Sequence, residues 1–498
     1  MHEPNQQEQR KTLKGSDALK LWRQGRDAWN CWIDTNPTHD ISFSGVDFSN
    51  EWTPTNTISF ELFRFGDGKV DFSGTKFGDR PVTFSNSEFG KGDVSFTHAR
   101  FGNGLTDFSM AIFSECNVSF LNSDFGRGNT HFVKTNFKSA DFAGAYFRDG
   151  DVNFSQARIE SIDLSGITCL AGDLLFRETS FFGEGEINLN ESKIDRLLFQ
   201  PETVGSTKIV GYGLTTEHRA VFEFPSSAGE LKSLILMGAS INGPLILSGN
   251  FNIVPDLLAS RLSHQAELSS LKINLRRKWE KPGRSGHSLN PHQAGYIARL
   301  IRKIGRSRNI KFTILRSIFS IWTKFFWPIK LSPVAQDAED AACLRRLKEI
   351  AETNKDHQAA LRFSADENRA RRWIETSWFG SILDMAFSGC SNYGQSILRP
   401  FVALILFSSI SMGLYKKHAL TTGSEWWTAP GWGQSFLLSI SNSLPFLPQS
   451  RSLREDAIEV LYAKDPSLWV DAIMIGQGVL SFIFLFLIGL GLRNRFRL

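Results

Sequence analysis

From Phe72 to Phe137, phenylalanine returns at positions 72, 77, 84, 89, 96, 101, 108, 113, 120, 125, 132 and 137, a strict alternation of five- and seven-residue steps. The same residue leads in at Phe43, Phe48, Phe60 and Phe65 and carries on at Phe142, Phe147 and Phe154. A fixed short period constrains the fold before any helix or strand is assigned, because each repeat can bury its apolar face only against its neighbours in a stack. The unit reads V-x-F-S-x-x-x-F-G-x-G, as in residues 82–92 and 94–104. Two places before each Phe stands Val or Thr after a seven-residue step (Val82, Val94, Thr106) and Ala, Ser or Thr after a five-residue step (Ser87, Ala99, Thr135). Two inward positions separated by one outward residue make one short extended face, since side chains alternate across a strand. The next residues then turn a corner.

This pattern resembles the pentapeptide-repeat family over residues 41–200. The resemblance implies a right-handed quadrilateral β-helix, a β-solenoid with a small residue two places before each central Leu or Phe. The Gly-x-Gly insertion departs from the family pattern. It predicts a two-residue bulge at a corner, with glycine permitting positive φ. Ile159, Leu164 and Cys169 keep the five-residue step, Ile194 and Phe199 follow, and a weaker echo lies at 234–249. Two units, or 24 residues, per coil and strands stacked about 4.8 Å apart predict six or seven coils over 43–199, a rod of about 30 Å. Leu19, Leu21, Trp22, Ala28, Trp29 and Trp32 sit at roughly helical spacing and predict one capping helix over 17–32. The run 28–32 is similar to the lead-in of some bacterial members of the family.

Five cysteines (Cys31, Cys116, Cys169, Cys343, Cys390) lack paired spacing, which argues against a disulfide framework or zinc site and fits a reducing compartment. The polar start reads as lacking a signal peptide. No phosphate loop, hydrolase elbow or metal spacing is present, so the expectation is a non-enzyme without cofactors. The formal charge of +5 hides an asymmetry: residues 41–200 carry 22 acidic against 14 basic residues, whereas 272–330 carry 15 basic residues against Glu280 alone.

Residues 472–492 run without a charge, long enough to cross a hydrocarbon core of about 30 Å. A second apolar stretch at 401–415 is bordered by Arg399 and by Tyr415, Lys416 and Lys417, which read as interfacial anchors. Arg493, Arg495 and Arg497 follow the later stretch, Arg369, Arg371 and Arg372 precede the earlier one, and the intervening loop is balanced. The positive-inside rule then predicts a multi-pass protein of the cell inner membrane with both termini cytoplasmic. The closing residues 486–498 and the segment 442–448 resemble uncharacterised bacterial pentapeptide-repeat membrane proteins with two C-terminal transmembrane helices. The predicted order is a helical cap (1–40), the β-helix (41–200), an irregular solenoid extension (201–262) and a basic linker with an interfacial amphipathic helix (263–335). A helical hairpin (336–395), a transmembrane helix (396–417), an extracytoplasmic loop (418–468), a second transmembrane helix (469–493) and a tail (494–498) complete it.

Within that loop, 435–446 is too short to span and suits a re-entrant or interfacial helix ending at Pro445. Span, short apolar helix, turn and span form the outline of two-span potassium channels, yet the glycine-rich carbonyl filter is absent. Ser439, Ser441, Asn442, Ser443 and Gln477 are the candidate pore-lining residues. On 310–327, Trp322 lies on an apolar helical face and Lys311, Arg316 and Lys324 on a basic one; with Trp327 they are candidate contacts to an anionic inner leaflet. The functional readings are a membrane-anchored rod that binds or senses a cytoplasmic protein partner, or an oligomeric channel with a re-entrant loop gated by that rod. A third reading, a DNA-mimicking topoisomerase modulator, is opposed by the modest acid excess and by membrane anchoring. No specific nucleic-acid partner is expected, and a homo-oligomer is.

Overall fold

The computed structural model describes residues 11–51, 53, 55–225, 231–273, 339–372, 374–419, 431–444, 446–463 and 465–496. The described residues up to 273, together with Glu339–Ser364, form one unit, and those from Ala365 onward form a second. The first unit is a β-solenoid of about nine turns with parallel sheets. Nine strands succeed one another in one sheet, from Asp40–Ser42 through Val70–Asp71 and Val94–Ser95 to Ser233–Ile235. A second sheet starts at Ile58–Ser59, and pairing continues to Leu271–Ile273.

The inner positions stack in four phenylalanine columns. Phe72, Phe96 and Phe120 lie with ring centroids 4.9 Å apart, and Phe60, Phe84 and Phe108 at 4.6 and 4.8 Å. The other columns hold Phe77 and Phe101 at 4.9 Å and Phe65 and Phe89 at 4.4 Å. These rings are 0–3% exposed. Burial stabilises each by about 2–3 kcal/mol, and stacked pairs add about 0.5–1.5 kcal/mol. Where the small residue before a five-step Phe carries a hydroxyl, it can also bond across coils. Thr135 Oγ1 donates to Phe108 O at 2.8 Å, and Ser123 Oγ to Phe96 O at 2.7 Å, so a hydroxyl ties one coil to the coil below.

The turn length follows the insertion. Val70 pairs with Val94 and Val94 with Val118, a displacement of 24 residues. Val118 then pairs with Ala140 and Ala140 with Ile162, a displacement of 22. The change falls where the two-residue insertion disappears after Phe137, one coil beyond the point where Ser114-Glu115-Cys116 replaces Gly-x-Gly, and Asn136–Asp141 runs straight through that corner as a strand. A constant 24-residue coil is therefore corrected to one that loses two residues with the insertion.

Glycine serves the insertion differently from expectation. Gly66, Gly78, Gly102 and Gly126 do have positive φ, but Gly90, Gly92, Gly104 and Gly128 do not. Space is the common need: a Cβ on Gly126 would lie 1.7 Å from Gly102 O, and one on Gly128 2.0 Å from Gly104 O. Positive φ also recurs at the plain corner, two residues past a Phe, where Asn86, His98, Met110, Asn122 and Lys134 have φ of 54–59°. There the N–H three residues on closes a turn to the Phe carbonyl, as from Ala99 to Phe96 at 2.9 Å, the pattern of a type II turn.

Both ends of the stack are covered. The expected single N-terminal helix is two, α1 (Ser16–Arg23) and α2 (Arg26–Thr35), broken at Gly25 with φ of 91°. The break turns Ala18, Trp22, Trp29 and Ile33 inward and leaves Leu19, Leu21 and Trp32 half-buried. Trp22 packs on Phe48 and donates from Nε1 to Ser59 O, and Trp29 packs on Phe43 and donates to Arg64 O. At the other end lie α3 (Asp340–Thr353) and α4 (His357–Arg371). Arg346 of α3 donates to Ser260 O at 2.8 Å and Arg362 of α4 to Ser269 O at 3.2 Å. Burial pushes the Cys116 and Cys169 thiols up to about 12, with Asp93 and Asp195 respectively adding to it, which leaves them neutral at pH 7.

The second unit contains α5 (Trp378–Ser391), α6 (Leu398–Lys417), α7 (Trp432–Ser443), α8 (Ser450–Tyr462) and α9 (Leu468–Phe496). Two of these, α6 and α9, are long and apolar enough to cross a membrane.

The glycine ladder yields a paired test. Gly128→Ala should destabilise the solenoid by about 2–4 kcal/mol, the range of steric core defects. Gly74→Ala, whose Cβ meets nothing within 4 Å, bears only a backbone cost of about 1 kcal/mol. Equal melting temperatures for the two variants would contradict the close-approach explanation.

Candidate functional site

Three of the sequence-predicted residues, Ser439, Asn442 and Ser443, come together around a fourth, Gln477 of α9, which is fully buried against α6 and α7. Its Nε2 donates to Ser439 O at 3.0 Å, Ser439 Oγ at 2.8 Å and Ser443 Oγ at 2.9 Å. Its Oε1 accepts from Tyr415 Oη at 2.6 Å and from Asn442 Nδ2 at 3.4 Å. Asn442 Nδ2 also donates to Met474 O at 2.7 Å. Ser441 is buried on α7 and donates to Leu438 O at 3.0 Å. Around this centre, Ser439 Oγ donates to Ser408 O and Ser481 Oγ to Ser443 Oγ, while the Ser408 and Ser443 hydroxyls are 2.7 Å apart. A polar group buried among apolar helices is costly unless its bonds are made, and here both ends of the Gln477 amide are engaged.

The sequence reading missed Ser408, Tyr415 and Tyr462. Ser408 left a weak signal, one of three serines (Ser408, Ser409 and Ser411) in the apolar stretch of α6. Tyr415 and Lys416 were expected as interfacial anchors; both are buried, and only Lys417 of that border is exposed. Tyr415 belongs to an apolar cluster with Leu438, Ala457, Leu461, Tyr462 and Val470, and Tyr462 Oη donates to Tyr415 O at 2.9 Å. The candidate lipid contacts Lys311, Arg316, Trp322, Lys324 and Trp327 lie outside the described residues.

The hydrogen bonds fix how deep α7 reaches. Ser443, its last residue, meets Ser408 and Ser481. Ser408 lies nine residues before the end of α6, about 14 Å at helical rise, and Ser481 thirteen residues into α9, about 20 Å. The tip of α7 is therefore level with the middle of both long helices. The chain then leaves helical geometry, and Phe446, Leu447, Pro448 and Gln449 are all exposed. From there α8 returns toward the Tyr415 end, packed on α7 through Leu438, Ala457 and Leu461. Arg451 and Glu455, an exposed pair at 3.2 Å, lie on the part of α8 nearer the tip than the Ala457 contact. Were α6 and α9 to cross a bilayer, non-helical backbone and charged side chains at that level would require protein or water around them, because hydrocarbon can satisfy neither.

Elsewhere, Asp195 is the most buried carboxylate of the described solenoid residues, and it pairs with His218 and accepts from Gly172 N at 3.2 Å. Among the described residues no group of three or more His, Cys, Asp or Glu is placed to hold a metal ion.

The chain matches no protein-family model, no curated protein and no solved structure. Its residues and geometry alone therefore bear on function.

Removing the Gln477 amide should unfasten three helices. Interhelical hydrogen bonds in membranes average about 0.6 kcal/mol, so Tyr415→Phe should lower stability in detergent by about that amount. Gln477→Ala, which breaks several such bonds, should lower it by about 1–3 kcal/mol. Equal unfolding midpoints for Gln477→Ala and the parent chain would refute the fastening role.

Proposed function

We propose that this is an integral membrane protein of the pentapeptide-repeat type, in which a cytoplasmic β-helical rod is carried by a two-span unit. Further copies of the chain assemble around the α7–α8 hairpin and enclose a water-filled, ion-conducting path. The observation that carries this reading is the exposed turn at 446–449, together with the charged face of α8, at the depth of mid-span. With α6 and α9 across a bilayer, neither can face lipid. Neighbouring subunits and water between them satisfy both.

Orientation in this reading rests on charge. Asn494 Nδ2 donates to Gly394 O at 3.1 Å, which brings the end of α9 to the start of α6. Arg399, Arg493 and Arg495 thus gather at one end of the pair, the cytoplasmic one under the positive-inside rule. Phe446 and Leu447 at the turn form an apolar constriction of the kind that gates by dewetting rather than by carbonyl coordination. In the second reading, the rod docks a cytoplasmic protein and the spans only localise it. The acid excess of residues 41–200, 22 against 14, favours a basic partner surface for that role.

Assembly and access separate the two. The full chain in native detergent should run as an oligomer in mass measurement. In liposomes it should pass ions, and a charged thiol reagent should reduce that flux in Gln449→Cys but not in the parent. A monomer without flux overturns the pore and leaves the anchored rod.

A further inference from the structure

Between the cytoplasmic end of α4 and the first long helix lies α5, with a single charged residue, Asp384, in its fourteen positions. One side of α5 is held by protein. Asp384 accepts from Arg372 Nε at 2.7 Å and from Tyr393 Oη at 2.9 Å, and Ser381 is fully buried. Phe387 meets the Tyr393 ring edge-on at 5.5 Å. The other side is bare: Phe379, Ile382, Leu383 and Ala386 are exposed at positions i, i+3, i+4 and i+7. Phe379 is 64% exposed and Leu383 54%, which is unusual for an apolar stripe on a helix fixed firmly on its opposite face.

The surroundings indicate what covers this stripe. α5 ends in a chain reversal of three consecutive left-handed residues, Asn392, Tyr393 and Gly394, with φ of 49°, 57° and 75°. Gly394 accepts from Asn494 of α9, and Arg399 Nη1 donates to Ser388 O at 3.5 Å. The carboxyl end of α5 is thus fixed at the level where α6 begins and α9 ends. Four residues beyond Gly394 the exposed apolar surface of α6 starts, with Leu398 at 69% and Phe401 at 48%. Among the described residues, Arg399, Arg493 and Arg495 at that level form no ion pair with a carboxylate. An apolar stripe that joins the lipid-facing surface of the spans, beside cations at phosphate height, matches a helix lying in a membrane interface.

We propose that α5 lies at the phospholipid boundary of the cytoplasmic leaflet, with the Phe379–Ile382–Leu383–Ala386 stripe among the lipid chains and the Arg372–Asp384–Tyr393 cluster facing protein. This rests on the membrane reading above. The occupant of the stripe is lipid rather than a second protein.

Spin labels on the full chain test it. Single cysteines are introduced as Ile382→Cys, Ala386→Cys, Glu375→Cys and Phe482→Cys, with Cys31 and Cys390 replaced by serine. Each variant is reconstituted into phosphatidylglycerol–phosphatidylcholine vesicles. Labels at 382 and 386 should collide with oxygen more than with a nickel chelate, the reverse of the label at 375. Greater collision with nickel at 382 and 386 overturns the proposal, because the stripe then faces water. Low collision with both quenchers also overturns it, because protein then covers the stripe. The label at 482, on the exposed mid-span face of α9, keeps the two readings apart. Nickel access at 482 removes the membrane placement itself, whereas a lipid signal at 482 with water at 382 removes only the role of α5.

Discussion

Parallel strands bonded coil to coil must lie about 4.7–4.9 Å apart, and that spacing is imposed on whatever side chains stand one above another. Parallel benzene rings in an offset stack have their centroids at nearly the same spacing. From Phe43 to Phe154 the phenylalanine columns meet this condition, with neighbouring centroids 4.4–5.5 Å apart and planes within 15° of parallel. Ring stacking and the backbone ladder are therefore one constraint, and the rest of the solenoid follows from it. Glycines stand where carbonyls of adjacent coils approach too closely for a Cβ, and small hydroxyl residues stand where a carbonyl below needs a donor. Beyond Phe142 one column turns aliphatic, through Leu164, Leu189 and Leu236, and the turn length there becomes irregular, while Phe154, Phe176, Phe199 and Phe222 continue another.

The second unit is organised on an opposite principle. With α6 and α9 across a bilayer, apolar surface would supply little discrimination, because lipid and leucine are equally apolar. Position is set by the few groups that must find partners. Gln477 joins α9 to α7, the serines join α7 to α6, and Tyr462 joins α8 to α6. A polar centre of this kind fixes the depth of α7 in a way that no pattern of leucines could.

The two regions differ in how far their residues disclosed them. The solenoid was readable because each stacked position repeats the same local demand, so even a departure such as Gly-x-Gly marks its own place. Positive φ accounts for only part of it: φ is a local quantity that glycine suggests at once and that Gly66, Gly102 and Gly126 do use, whereas the approach of Gly128 to Gly104 spans a whole coil. Around Gln477, the polar residues on α7 could be picked out, but not Tyr415, since a tyrosine beside two lysines looks the same whether it faces headgroups or turns inward. The charged helix α8 read as part of a balanced loop, and α5 read as the tail of a hairpin. In both, the residues show which face is apolar but not what stands opposite it, and that depends on a fold without a repeat.

Both ends of the rod close with indole and guanidinium donors that seek bare carbonyls: Trp22 and Trp29 at one end, Arg346 and Arg362 at the other. Neither closure reads the identity of the coils between. Repeats contact only their neighbours, so whole turns can be gained or lost internally while both lids remain seated. The span of the rod is thus a heritable variable that moves in discrete increments of one coil, and a shortened or lengthened descendant needs no new terminus.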